Sequence, residues 1–457
     1  MSNIATPNID YSNMTEAWDI NDALMGGTLH MRTLGESYLP RWVNEEKESY
    51  KKRLQTATLL PAYEETIRQN VGRVFASPIK LADNVPDKII EFTKDIDLEG
   101  TCLDVWAQEF FSIALQYGIA HAFIDYPRID VSVKTRADEN KIGARPYVVM
   151  LNPRQIIGWE TEKVGGKVVI TELRIRESVV ESKDNYEQTR IEQIRHVQIG
   201  SESTWRQDST TKKWYQHEEW KTSRKHISLV TLYTKKTGFM QGSPPLLNLA
   251  LLNIKHWQSQ SEQDNILHVA RVPILTAFGL EDGAELTIGS SCATRFSDRS
   301  MQGLEYVEHT GSSVNAGKES LIDLVEQMRL AGAKLLRDQN TSTKSIDQTQ
   351  EEKMQANSPL FTMASSLEDA LDNILDELAV WIGEKSGGNV DVITEVELAR
   401  KTIDATGALA IQSLRLSGDI RDTDAVIAYQ RLGLIDADAK PEDVIQELKD
   451  SAPQFAG

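Results

Sequence analysis

The chain has 457 residues, enough for two or three domains around a sizeable buried core. Hydrophobic residues at 40% and charged residues at 26% exclude a disordered chain. With 50 Lys and Arg against 68 Asp and Glu, the formal charge is −18, the wrong sign for a protein that grips DNA by neutralising phosphates. That charge remains compatible with a surface past which DNA slides.

The first half mixes helices and strands. Residues 44–70 read as one helix ended by Gly72. LDVWAQEFFSIALQY (103–117) places Leu103, Trp106, Phe110, Ile113, Ala114 and Tyr117 on one broad face, with Gly118 where a left-handed cap is expected. HAFIDYP follows as a strand stopped by Pro127. Further strands are expected at 146–151, 168–177, 190–199 and 226–234. The charged stretch 201–224, carrying Trp205, Trp214 and Trp220, reads as an exposed hairpin whose aromatics cover a sheet.

After Pro244 and Pro245 the chain turns mainly helical. A long helix runs to just before Pro273, a Gly-bearing insert occupies about 271–316, and a second helix spans 318–337. Leu321, Val325, Met328, Gly332 and Leu335 form a narrow packing stripe on it. The polar stretch QNTSTKSIDQ (339–348) precedes a third helix over about 351–384, where Leu360, Met363, Leu367, Leu371, Ile374, Leu378 and Trp381 keep the same spacing. Pro359 inside it predicts a kink. The tail, 397–450, reads as two or three acidic helices broken at Gly418 and Pro441.

No chemical motif is complete. TGSSVNAGKES (310–320) approaches a phosphate-binding loop, but five residues separate Gly311 from Gly317 and Glu319 stands where a hydroxyl is needed. Asp95 and Asp97 lie in a segment without the Gly and Glu of a calcium loop, and read as part of a turn before a helix. The histidines, His256 and His268 included, lack metal-ligand spacing, and no cofactor is expected. Cys102 and Cys292 form no framework and suit a reducing cytosol. In 404–432, Asp422 and Asp424 begin what would be a recognition helix and would face phosphates, so packing is the better reading there. The opening MSNIATPNID does not read as a signal peptide, and no apolar run approaches the roughly 20 residues needed to span a bilayer. A soluble, non-enzymatic chain is expected.

Several motifs then occur in a telling order. Trp18, Asp22, Gly26, Met31, Arg32 and Gly35 lead into YLPRW (38–42), Glu46, Tyr50 and Arg53, then GRVFASPI (72–79), DIDLEGTCLDVWA (95–107) and ALQYGIAHAFIDYP (114–127). LNPRQIIGW (151–159), SPPLLNLALLNIKHWQSQSEQDNILHVARVPIL (243–275), LEYVEHTG (304–311), LVEQMRLAGAKLL (324–336) and NSPLFTMASSLEDALDNIL (357–375) follow. Over most of 15–385 this resembles one branch of the portal proteins of tailed phages. STKSIDQTQEE (342–352) departs from the branch, which usually reads closer to Thr-Ala with a following Glu.

The resemblance implies an α+β portal-type subunit: a mixed wing (1–243), a stem helix (244–270), a clip (271–316) and a second stem helix (317–338). A tunnel loop (339–350), a long kinked wing helix (351–388) and a helical crown (389–457) complete it. It implies a dodecameric ring in virions, assembled in the host cytoplasm, through which double-stranded DNA is packaged and ejected without any membrane role. The ring would nucleate head assembly, with a large terminase, a neck adaptor, and major capsid and scaffolding proteins as partners. Thr341, Ser342, Thr343, Lys344 and Ser345 would face DNA; Arg295, Ser297, Asp298 and Arg299 would form a docking surface on the clip. Leu321, Val325, Met328, Leu335, Leu367 and Leu371 would pack neighbouring subunits together. Two other classes stay open: a different neck or minor head protein, and a nucleic-acid enzyme, which would need a carboxylate cluster or nucleotide loop.

Overall fold

The computed structural model describes residues 3–128, 143–182, 186–222, 224–270, 274–278, 303–307, 312–333, 359–392, 405–431, 435 and 439–450. The helices are α1 (Ile9–Met25), α2 (Gly27–Leu34), α3 (Lys47–Thr56), α4 (Ala62–Val74), α5 (Asp87–Phe92), α6 (Leu103–Tyr117), α7 (Leu247–Ala270), α8 (Ser312–Ala333), α9 (Pro359–Ile382), α10 (Ala405–Ser417), α11 (Asp422–Arg431) and α12 (Pro441–Asp450). The strands are β1 (Lys80–Leu81), β2 (Ile119–Asp125), β3 (Tyr147–Leu151), β4 (Ile156–Val164), β5 (Lys167–Ser182), β6 (Gln188–Gln198), β7 (Ser201–Gln207) and β8 (Trp214–Lys221). After them come β9 (Leu229–Tyr233), β10 (Lys236–Gly238), β11 (Gln241–Gly242), β12 (Ile274–Phe278), β13 (Gly303–Val307) and β14 (Val390–Asp391). The chain is α+β. It forms two units, one of residues 1–16, 67–245 and 335–457, the other of 17–66 and 246–334. Residues 17–66 thus fold with residues 246–334.

In the first unit, β2 is the centre of an antiparallel sheet ordered β3-β2-β9. All seven of its residues are buried, so both faces are covered, and α6 and α9 both pack on it. The α6 helix stops where expected: Gly118, at φ 82°, donates its N–H to Ala114 O at 2.8 Å, and β2 begins at the next residue. A second sheet is the meander β4-β5-β6-β7-β8. Gly165 and Gly166, both at positive φ, form the two-residue turn between β4 and β5. The expected hairpin at 201–224 is β7 and β8, with Trp205, Trp214 and Trp220 half-buried.

Ten apolar residues along α9 are buried, Leu367 and Leu371 among them. The helix ends at Ile382, short of the expected 388, because its own carboxylates fold the following chain back along it. Asp376 accepts from Gly387 N (2.6 Å), Asp372 from Val390 N (2.8 Å) and Glu368 from Val392 N (2.9 Å). Gly383 and Gly388, both at positive φ, allow the reversal. The strand so placed, β14, pairs antiparallel with β1. Pro359 opens the described helix, where its missing N–H costs nothing; the expected kink concerns residues 351–358, outside those described. In the tail, Gly418 (φ 79°) follows α10 and Pro441 starts α12, as read from the sequence.

The helix expected over 44–70 is two, α3 and α4. Ala57, extended at ψ 134°, and Pro61 break it, whereas Gly72 lies inside α4. The loop between them is fastened at both ends. Arg32 donates two hydrogen bonds to Ala57 O (3.0 and 2.9 Å), and the buried Asn253 on α7 donates to Leu60 O (2.9 Å) while accepting from Tyr63 N (3.0 Å). A buried Arg53–Glu45 pair at 2.7 Å, with Arg53 also donating to Pro40 O at 2.9 Å, holds the segment before α3.

Candidate functional site

The most distinctive geometry of the second unit is a limb built from α7, the pair β12–β13 and α8. The strands are antiparallel, from Ile274↔Val307 to Phe278↔Gly303, so the chain leaves α7, reverses and returns into α8. The two helices pack together. Two glycines of α8 permit the approach: a Cβ on Gly317 would strike the Gln263 side chain, and one on Gly332 would lie 3.2 Å from Thr66 Cγ2 and 3.7 Å from Leu249 Cδ2. Gln263 in turn donates to Val314 O at 2.9 Å. Because α8 starts at Ser312, Gly317 and Lys318 sit within a helix, and their amides are not free to cradle phosphate. The expected start at 318 was six residues late.

On α8, Leu324 and Met328 are buried, while Leu321 and Val325 are half-buried. This stripe is covered by its own unit. Leu367 and Leu371, at 0% exposure, are enclosed by the first unit's core. Met328, Leu367 and Leu371 are thus covered within the chain itself: helical spacing identified a buried face and could not say what buries it. The outward face of α8 instead carries Glu319, Ile322, Asp323, Glu326 and Leu330, all exposed. Thr341, Ser342, Thr343, Lys344, Ser345, Arg295, Ser297, Asp298, Arg299 and Leu335 lie outside the described residues.

The first unit holds a charge network that no motif announced. Asp125, at the end of β2, meets Arg224 at 2.5 Å and Arg195, on β6, at 2.8 Å. Glu202, on β7, meets Arg195 at 2.7 Å and Arg224 at 2.6 Å; the latter contact lacks hydrogen-bond alignment and acts as a Coulombic one. Two acids and two arginines thus close a ring of charge that ties the three-stranded sheet to the meander. Burial alone would raise the Asp125 pKa, yet the Arg195 and Arg224 guanidiniums outweigh it and hold the carboxyl below its usual range. Both guanidiniums lie near the Phe123 ring, at 5.2 and 4.9 Å, and Trp381 of α9 lies 5.6 Å from that of Arg224. A cavity of about 760 Å³ opens beside the network, walled also by Tyr126, Arg128 and Trp220. Asp125, Arg195, Glu202 and Arg224 of its wall are paired to one another, so it reads as a polar seam between the sheets. Among the described residues, no group of three or more His, Cys, Asp or Glu is placed to hold a metal ion, and no helix is long and apolar enough to cross a membrane.

His121, in the middle of β2, is buried with Nδ1 at 3.0 Å from Thr231 Oγ1, and burial pushes its pKa down to about 3. The folded chain keeps it neutral while the unfolded chain protonates it near pH 6.5. Its contribution is therefore complete above that pH and is lost as pH falls toward 3, by up to about 5 kcal/mol. Urea unfolding of wild type and His121→Gln across pH 7 to 4 should show a shallower acid loss in the variant; parallel curves would refute the assignment.

The described fold defines an α+β protein bearing a helix–strand pair–helix limb. A family model described as "Domain of unknown function (DUF4055)" matches residues 245–382, a stretch that spans the limb and α9. No curated protein matches. Similar solved chains come from "Virion of native gene transfer agent (GTA) particle", at 9% identity and TM-score 0.43, covering 87% of this chain and 98% of that one. Others come from "Neck of empty GTA particle computed with C6 symmetry" (9%, 0.47; 86% and 95%) and "Neck of native GTA particle computed with C12 symmetry" (10%, 0.41; 88% and 98%).

Proposed function

We propose that this chain is a portal subunit, one copy in a ring at a capsid vertex through which double-stranded DNA enters and leaves a virion, and that it performs no catalysis itself. The observation that carries the reading is the order of elements over 247–382: long helix, antiparallel strand pair, helix, then a further long helix packed on the mixed sheet unit. The portal-like motifs of the sequence fall on these same elements in the same order. The coarser form of the reading, a structural protein of a virion head or neck, needs only that such a chain assembles with copies of itself.

The formal charge of −18 suits the role, since a lumen that attracts phosphates densely would hold DNA still. Lys344, in the polar stretch 339–348 that otherwise offers Asp347, supplies one sparse cation per subunit toward DNA, and the residues between β12 and β13 offer the motor and the neck adaptor a docking edge. Negative-stain microscopy of the purified chain tests the reading: annuli with a central hole are expected. A sample that stays monomeric across protein concentrations and salt conditions overturns it.

A further inference from the structure

Two exposed faces of the second unit have opposite charge, and neither is covered by other described residues. On α8, the face opposite the buried Leu324–Met328 stripe presents Glu319, Asp323 and Glu326 at spacings of four and three, so that all three point outward. Ile322 at 58% exposure and Leu330 at 46% flank them. On α3, Tyr50 and Arg53 are buried and the exposed side carries Lys47, Lys51 and Lys52 against Glu48 alone. The segment before it adds Trp42 at 40% and Val43 at 99% exposure. Arg53, whose guanidinium lies 4.3 Å from the Trp42 ring centroid and is paired to Glu45, fixes that segment beside the lysines. Among the described residues, Glu319, Asp323, Lys47, Lys51 and Lys52 make no ion pair, and Glu326 meets only Arg329, its own neighbour one turn on.

We propose that the acidic face of α8 docks on the basic face of α3 in a second copy of this chain. Each face sets apolar residues beside an excess of charges of one sign, with Arg329 the opposite charge beside the acids and Glu48 among the lysines, and the two excesses complement each other. Because the faces are different surfaces of one unit, the contact is head-to-tail, the kind that propagates from copy to copy and forms a ring when its rotation closes. The contact rests on the ring reading above and names the surfaces that make it.

Charge reversal on one side at a time supplies the test. Glu319→Lys, Asp323→Lys and Glu326→Lys together make a chain with two basic faces. Lys47→Glu, Lys51→Glu and Lys52→Glu make one with two acidic faces. Each alone should lose self-association by about 100-fold at low salt, read by mass photometry or sedimentation. Mixed in equal amounts they should co-assemble, since every junction is then again acid on base, and the chain carrying all six changes should assemble by itself. Co-assembly cannot arise from misfolded protein. If wild type assembles and both reversed chains assemble equally well, this contact is wrong while the ring reading stands. Reversed chains that lose assembly but recover it neither in the mixture nor in the six-fold variant also overturn it. A wild type that never assembles removes both.

Discussion

Replacing Arg224 by methionine should destabilise the first unit by about 3–5 kcal/mol. The side chain is 5% exposed and stands between Asp125 and Glu202. With it gone, two buried carboxylates share Arg195 alone, and one negative charge is left buried without a partner. The cost is that of stranding a charge, larger than the net worth of the pair itself. Removing the excess charge should therefore restore much of the loss: Arg224→Met with Glu202→Gln should be more stable than Arg224→Met alone. Chemical unfolding of the four chains of this cycle measures the coupling. A single-variant cost below about 1 kcal/mol, the range of an exposed pair, would show that water reaches these groups freely.

The network also marks where reading the sequence stops. Asp125 sits in DYP, where a strand ends; Arg195 sits in an expected strand (190–199), and Glu202 and Arg224 in a stretch that reads as charged and exposed. Asp125 meets Arg195 and Arg224 across 70 and 99 positions of chain, and no local spacing encodes such a meeting. Local signals did reach far elsewhere. The α6 helix, its Gly118 cap and the buried β2 were legible because a wide apolar face, a glycine and an apolar run each act within a few residues. The carboxylates at 368, 372 and 376 carried a readable helical spacing, yet their use, holding the backbone of 387–392, depends on a reversal that the helical pattern hides. Likewise, the α8 stripe announced a buried face, and only packing revealed that the outward face holds Glu319, Asp323 and Glu326.

Gly118→Ala should be nearly as damaging as loss of the network, by about 3 kcal/mol or more, and its effect separates two roles of one glycine. The residue is left-handed at φ 82°, which any L side chain resists. Its missing Cβ also leaves room for the backbone of Ser243, which a methyl group would strike. Gly242 presses from the same side, where a Cβ would come within 2.6 Å of Gly118 O, and that oxygen accepts from Thr234 N at 3.2 Å. Backbone on backbone cannot yield as a flexible side chain does, so the end of α6 and the β10–β11 hairpin would have to separate. Gly200 is the control: φ is 84° and nothing lies within 4 Å of its Cβ position. Gly200→Ala should carry only the conformational cost, about 1 kcal/mol. Thermal unfolding of both variants decides it. Equal losses would mean that the left-handed angle alone matters and that the contact with Ser243 is soft; a loss at Gly118 several times larger assigns the excess to close packing behind β2.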